Sequence, residues 1–247
     1  MARGATGLTA RRRCAVIAAF LLASAPTVAA ATSADVDLAL VLALDSSSSV
    51  NFDEFYLQTH GLSVAFASPR VATAVADGPL GVIAVAVLEW ADADRQAVQF
   101  EWRNLRAEDL PGFAAELADM PRLVGYGGTA IGAALAGAGA LVESCPCVPL
   151  RRVIDVSGDG RTSTGPPSAP VRDLLTSRGI TINGLAIVNE EPDLEAHYRA
   201  EVIGGPGAFV LRAADYEDFE RAIEEKLVRE IASEPLVAML AVHPDPR

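Results

Sequence analysis

Lysine is almost missing from this chain. Of its 20 basic residues, Lys226 is the single lysine, and the 3 histidines are widely spread. Against them stand 32 acidic residues, for a net charge of −12. Such a balance lacks the basic patches that neutralise a phosphate backbone, so nucleic acid and anionic membrane surfaces are excluded as partners. Aromatic residues are few, at 6%. No apolar run approaches the roughly 20 residues of a membrane-spanning helix; "LVAMLAV" near the C-terminus is far too short, so stable membrane insertion is not expected. The 3 cysteines are too few for a disulfide-dense scaffold. Nothing assembles a nucleophile with a base. "DVSGDG" is not a G-x-S-x-G elbow, and no second aspartate stands two residues after Asp45 as in a phosphatase nucleophile motif. His60, His197 and His243 fall on helix or tail surfaces. These absences point to a binding module, not an enzyme.

The N-terminus reads as a secretory signal. Arg3, Arg11, Arg12 and Arg13 form a basic region, 15–23 is apolar, and small residues follow at Val28, Ala29, Ala30 and Ala31. Residues 1–30 are therefore expected to be removed. That takes away four arginines and no acid, moving the net charge from −12 to −16. The expected location is outside the cytoplasm, periplasmic or secreted. Two cysteines then remain, in "ESCPCVP". A local Cys145–Cys147 disulfide is favoured in an oxidising compartment. A redox role stays open, whereas a metal site would need two further ligands and has no histidine nearby.

From Asp35 onward strands alternate with helices. "VDLALVLAL" (36–44) is apolar apart from Asp37, as in a strand buried on both faces. A helix follows, carrying Phe55, Leu62 and Phe66 on one face, with Asn51 and Glu54 placed as a capping box. Residues 80–90 and 96–102 read as a hairpin whose second strand is at a sheet edge. Further elements are expected at 107–119 (helix), after the glycine loop "GYGGTA" (helix), at 151–160 (strand), in "APVRDLLTSRG" (helix), at 180–189 (strand), in "LEAHYRAEVIGG" (helix), at 208–213 (strand) and at 215–231 (helix). The class is α/β: a doubly wound, mostly parallel six-stranded sheet with helices on both faces, filling one domain over 31–231 ahead of a tail at 232–247.

In such a sheet ligands sit beyond the carboxyl ends of the strands, where strand order reverses. Three segments supply oxygen atoms there: Asp45, Ser47 and Ser49 after the first strand, Thr129 in the glycine loop, and Asp159 in "SGDG". All are hard donors, suited to Mg²⁺, with Mn²⁺ or Ca²⁺ as alternatives. Two carboxylates and three neutral hydroxyls leave such a cation short of negative charge, so it attracts an anionic ligand from outside. Ser46 and Ser48 are placed to bond backbone in the turn. Asp155 is a buried strand carboxylate, a candidate support behind the site but not a ligand.

Asp45-x-Ser47-x-Ser49, then Thr129 in a Gly-rich loop, then Asp159-Gly160 after a strand, resembles the metal-ion-dependent adhesion site of von Willebrand factor A domains. Within that superfamily the chain is similar to a group of exported bacterial proteins carrying "RRVIDVSGDG". The resemblance implies direct metal contacts from Ser47, Ser49 and Thr129. It implies that Asp45 and Asp159 hold coordinating waters or switch to direct contact, and that a protein partner presents a carboxylate. Two rival readings use the same residues. Gly125–Ala130 fits G-x-G-x-x-A, the loop of a nucleotide-binding oxidoreductase, although the long strand that should precede it is missing. The other rival is a metal-free structural relic of the fold.

Overall fold

The structure is a computed structural model of the chain, and it describes residues 34–232. The signal segment, and all but the first residue of the tail, lie outside the described residues.

Six strands form one sheet in the order β3-β2-β1-β4-β5-β6. They are β1 (Ala34–Asp45), β2 (Ile83–Trp90), β3 (Gln96–Leu105), β4 (Cys147–Gly158), β5 (Thr181–Ile187) and β6 (Val210–Ala213). Every pairing is parallel except β2 with β3, which form the expected hairpin with β3 at the edge. The central strands are apolar on both faces because helices cover both. Leu38, Leu40, Leu42 and Leu44 of β1 pack into one layer with α1 (Phe52–Ala67), α2 (Pro69–Ala76), α3 (Leu110–Ala118) and α7 (Phe219–Ala232). Val41 and Ala43 face the other layer, built from α4 (Ile131–Glu143), α5 (Ser168–Ser177) and α6 (Leu194–His197).

Local chemistry sets the element ends. Asn51 Oδ1 accepts from the Asp53 and Glu54 N–H groups, while Glu54 Oε2 accepts from the Asn51 N–H, so the capping box forms. α2 starts on Ser68, whose hydroxyl accepts from the Val71 N–H, with Pro69 in the first turn. α6 ends after one turn and passes into a π-type turn over Tyr198–Val202, where a longer helix was expected. β4 starts at Cys147, four residues earlier than expected, and Cys145 is joined to Cys147.

Strand order reverses between β1 and β4, because β1 leads leftward to β2 and β4 leads rightward to β5. The carboxyl ends of those two strands open the crevice in which ligands of such sheets sit. Asp45 ends β1, and Asp159 directly follows β4.

Candidate metal centre

The turn after β1 brings its oxygens together. Asp45 is fully buried, and its Oδ1 accepts from the Ser47 N–H at 2.7 Å. Ser47 Oγ lies 3.1 Å from Ser49 Oγ, and Ser49 Oγ donates to Asp159 Oδ1 at 2.7 Å. Tyr216 donates to the other Asp159 oxygen, Oδ2, at 2.9 Å. Thr129 is held through its backbone: its N–H donates to Ser163 Oγ, and its carbonyl accepts from the Ser163 and Thr164 N–H groups. Its hydroxyl lies beside Gly160, 3.7 Å from where a side chain would begin there. The five residues singled out in the sequence thus surround one crevice. Four of them, Asp45, Ser47, Thr129 and Asp159, are buried, and Ser49 stands at the mouth.

The electrostatics are those of a site lacking positive charge. Asp45 Oδ2 is buried with no hydrogen-bond partner among the described residues. Burial, and then the like charge of Asp159, lift the Asp45 carboxyl to about 7. Gly158 allows this crowding, because a Cβ there would stand 2.7 Å from Asp45 Oδ2 and 2.8 Å from the Tyr198 hydroxyl. Two carboxyls forced together, with an orphaned oxygen and three hydroxyls around them, fit a divalent cation taking oxygen ligands. Among the described residues no group of three or more His, Cys, Asp or Glu side chains could hold a metal; the donor set is mixed, two carboxyls with hydroxyls.

Loops around the crevice are braced by residues that sequence reasoning missed. Arg122 Nη2 donates to the carbonyls of Ser46 and Ser47, its Nη1 to that of Val50, and its Nε to Ser46 Oγ and the Val124 carbonyl. Buried Glu89 accepts from the Leu123 and Val124 N–H groups. Asp92 accepts from Thr164 Oγ1. Single charged residues outside any periodic pattern gave no signal for these roles. Ser46 and Ser48 bond backbone as expected, though in the glycine loop and not in their own turn. Ser46 donates to the Val124 carbonyl, and Ser48 Oγ accepts from the Gly127 N–H. Asp155 is not behind the site. It faces the α7 layer and pairs with Lys226, because β4 alternates and position 155 shares the face of Val153. Glu191 and Asp193 pair with Arg161. The stretch between α3 and α4 that leads into Gly125–Ala130 contains no strand, so the nucleotide-loop context is absent.

Two aromatic side chains that are more than half exposed, Phe52 and Tyr126, lie beside Arg122 at the crevice. Tyr126 has φ of 50°, a left-handed conformation costly for a residue with a Cβ. The Arg122 guanidinium lies 5.3 Å from the Phe52 ring centroid and 5.9 Å from that of Tyr126.

The profile of DUF1194, described as a protein of unknown function, matches residues 35–235. The chain belongs to that family. No curated protein sequence matches it. Solved structures place this DUF1194 chain in the von Willebrand factor A fold. A von Willebrand factor type A protein from Catenulispora acidiphila aligns at TM-score 0.57 and 16% identity, over 81% of this chain and 44% of that one. Proximal thread matrix protein 1 from the mussel byssus aligns at TM-score 0.55 and 17% identity, over 81% and 47%. A further structure of that byssus protein, with a zinc-occupied MIDAS motif, aligns at TM-score 0.53 and 15% identity, over 81% and 49%. BatB from Bacteroides thetaiotaomicron aligns at TM-score 0.51 and 17% identity, over 79% of this chain and 100% of its own. The DUF1194 chain spans about half the length of the first two proteins.

Proposed function

We propose that this chain is an exported, divalent-cation-dependent protein-binding module whose site captures a carboxylate of a protein partner. The observation that carries the proposal is the buried, unpartnered Asp45 Oδ2, close enough to Asp159 to feel its charge, beside the Ser47 and Ser49 hydroxyls that lead to Asp159. Ser47, Ser49 and Thr129 would supply neutral oxygens to Mg²⁺, Mn²⁺ or Ca²⁺, and Asp45 and Asp159 the negative charge. A bound cation offers an open position to an anionic oxygen from outside. The residues around it do the rest. Arg122 and Glu89 fix the two loops, Tyr216 orients Asp159, and Phe52 and Tyr126 give the partner apolar surface beside its carboxylate. The fold shared with a byssus protein whose MIDAS motif holds zinc supports the reading; hard oxygen donors favour Mg²⁺ or Mn²⁺ here.

Titration calorimetry with Mg²⁺, Mn²⁺ and Ca²⁺ on wild type and Asp45→Ala tests the site. Wild type should bind weakly, in the range of roughly 10⁻⁴–10⁻³ M for sites poor in charge, and Asp45→Ala should show no binding heat. A pull-down from the cell envelope should retain a partner with cation and release it to chelator. Absence of divalent binding to wild type at millimolar-scale concentration would leave only the fold.

A further inference from the structure

One lysine against nineteen arginines (20 − 1) is a strong bias, and the exception is fully buried. Arginine serves as well wherever a surface cation is needed, and it does not give up its proton. A buried lysine can, and its amine is then a nucleophile. Lys226 sits on α7. Its Nζ stands 2.6 Å from Asp155 Oδ1 in β4 and 2.6 Å from Glu230 Oε1 one turn further along the helix. The three side chains are 0–2% exposed. Asp155 Oδ2 and Glu230 Oε2 are buried with no hydrogen-bond partner among the described residues. Asn183 Nδ2 donates to Glu230 Oε1 at 2.8 Å, and Asn183 Oδ1 accepts from the Phe209 N–H. The Phe209 ring covers the group, its centroid 5.5 Å from Nζ. Arg151 also lies near Glu230, but its Nη1 and Nη2 donate to the backbone carbonyls of Glu230 and Ile231, while the Arg229 guanidinium stacks on the Phe209 ring, 3.8 Å from its centroid.

Two carboxyls therefore face one amine in a dry interior. Burial raises both carboxyls, Glu230 to about 7, so the cluster retains a proton near neutral pH. An ion pair held away from water is costly in lost hydration. An amide joining the same two side chains carries no charge and removes that cost.

We infer that Asp155 and Lys226 condense into an internal isopeptide bond, with Glu230 moving the protons. The neutral Nζ attacks Cγ of the protonated Asp155 carboxyl. The Nζ–Cγ bond forms, Glu230 takes one proton from nitrogen and delivers it to a carboxyl oxygen, and the Cγ–O bond breaks. The amine gives up one hydrogen and the carboxyl one hydroxyl, which leave together as water; nothing is oxidised or reduced. Reactants already in contact need little further ordering, and a dry core withholds the water that would reverse the step. This inference is independent of the metal centre.

Because the chain has one lysine, the test is direct. The folded protein is fully denatured and treated with an amine-reactive ester. Cross-linked protein takes the label at its α-amino group alone and weighs one water less, and its digest contains a joined peptide pair bearing Asp155 and Lys226. Asp77-Gly78 and Asp159-Gly160 can also lose water by cyclising, so the label on Lys226, not the mass alone, decides. Glu230→Gln, checked for folding by circular dichroism, should leave Lys226 fully labelled. A wild-type Lys226 that labels completely after unfolding would mean the cluster is only an ion group, and the inference fails whatever the variants do. A folded Glu230→Gln that cross-links as fully as wild type would remove Glu230 from the mechanism.

Discussion

Asp45 concentrates the chemistry of the site in one side chain. Its carboxyl, normally ionised above about pH 4, holds its proton to about 7 in the folded chain. The folded state then binds that proton more tightly than the unfolded one, so the contribution of Asp45 to stability falls as pH rises from about 4 to about 7, by something of the order of a few kcal/mol. A cation that binds only the folded, ionised form opposes the loss. Cation-free protein should thus unfold at lower urea at about pH 8 than at about pH 5. Mg²⁺ should stabilise it more at the higher pH, and Asp45→Asn should reduce both effects. Glu230 shifts the same way, which is why the comparison with the Asn variant is needed. Stability that climbs between those two pH values without cation would contradict the burial argument. Asp45, Ser47, Ser49, Thr129 and Asp159 were legible as a group because the spacing of serines after a strand and of Asp-Gly after another is itself informative. Glu89 and Arg122 were not, since each acts on backbone far along the chain.

Among the elements, the loop after β1 depends most on a neighbour. Arg122 spreads its guanidinium over three carbonyls of that loop and one hydroxyl. Lysine cannot reproduce such a fork. Arg122→Lys should lower unfolding stability by about 2 kcal/mol, in line with hydrogen bonds to charged groups, and weaken Mg²⁺ binding in calorimetry with it. Unchanged values for both would show that the turn holds itself. Strands and long helices were readable from hydrophobic period, and Asn51 with Glu54 gave away the start of α1. No element was assigned to 67–79, yet α2 forms there. Its signals, Ser68 and Pro69, are brief, and the helix is only eight residues long, ending before Asp77. The helix expected through 205 stops short because Tyr198 turns its ring inward beside Gly184 and Gly158, a tertiary demand that periodicity does not show.

For the whole molecule, the proposed export rests on residues 1–31 and on an acidic chain of −16 once the basic leader is gone. N-terminal sequencing of protein from its native host should find a start near Ala31. Met1 retained on cytoplasmic protein would reject export, and with it the case for a capture module outside the cell. The DUF1194 match over 35–235 begins just beyond that expected start.

β1 lies at the centre of the sheet, paired from Leu38 to Asp45 with β2 and from Ala34 to Leu44 with β4. In the proposed capture role a partner held at Asp45 would load this strand, and tension directed along it would enter the sheet as shear. Both flanking ladders must then give way together, whereas an edge strand such as β6 could be peeled off one rung at a time. The fold would therefore resist being pulled open at Asp45 better than at an edge strand.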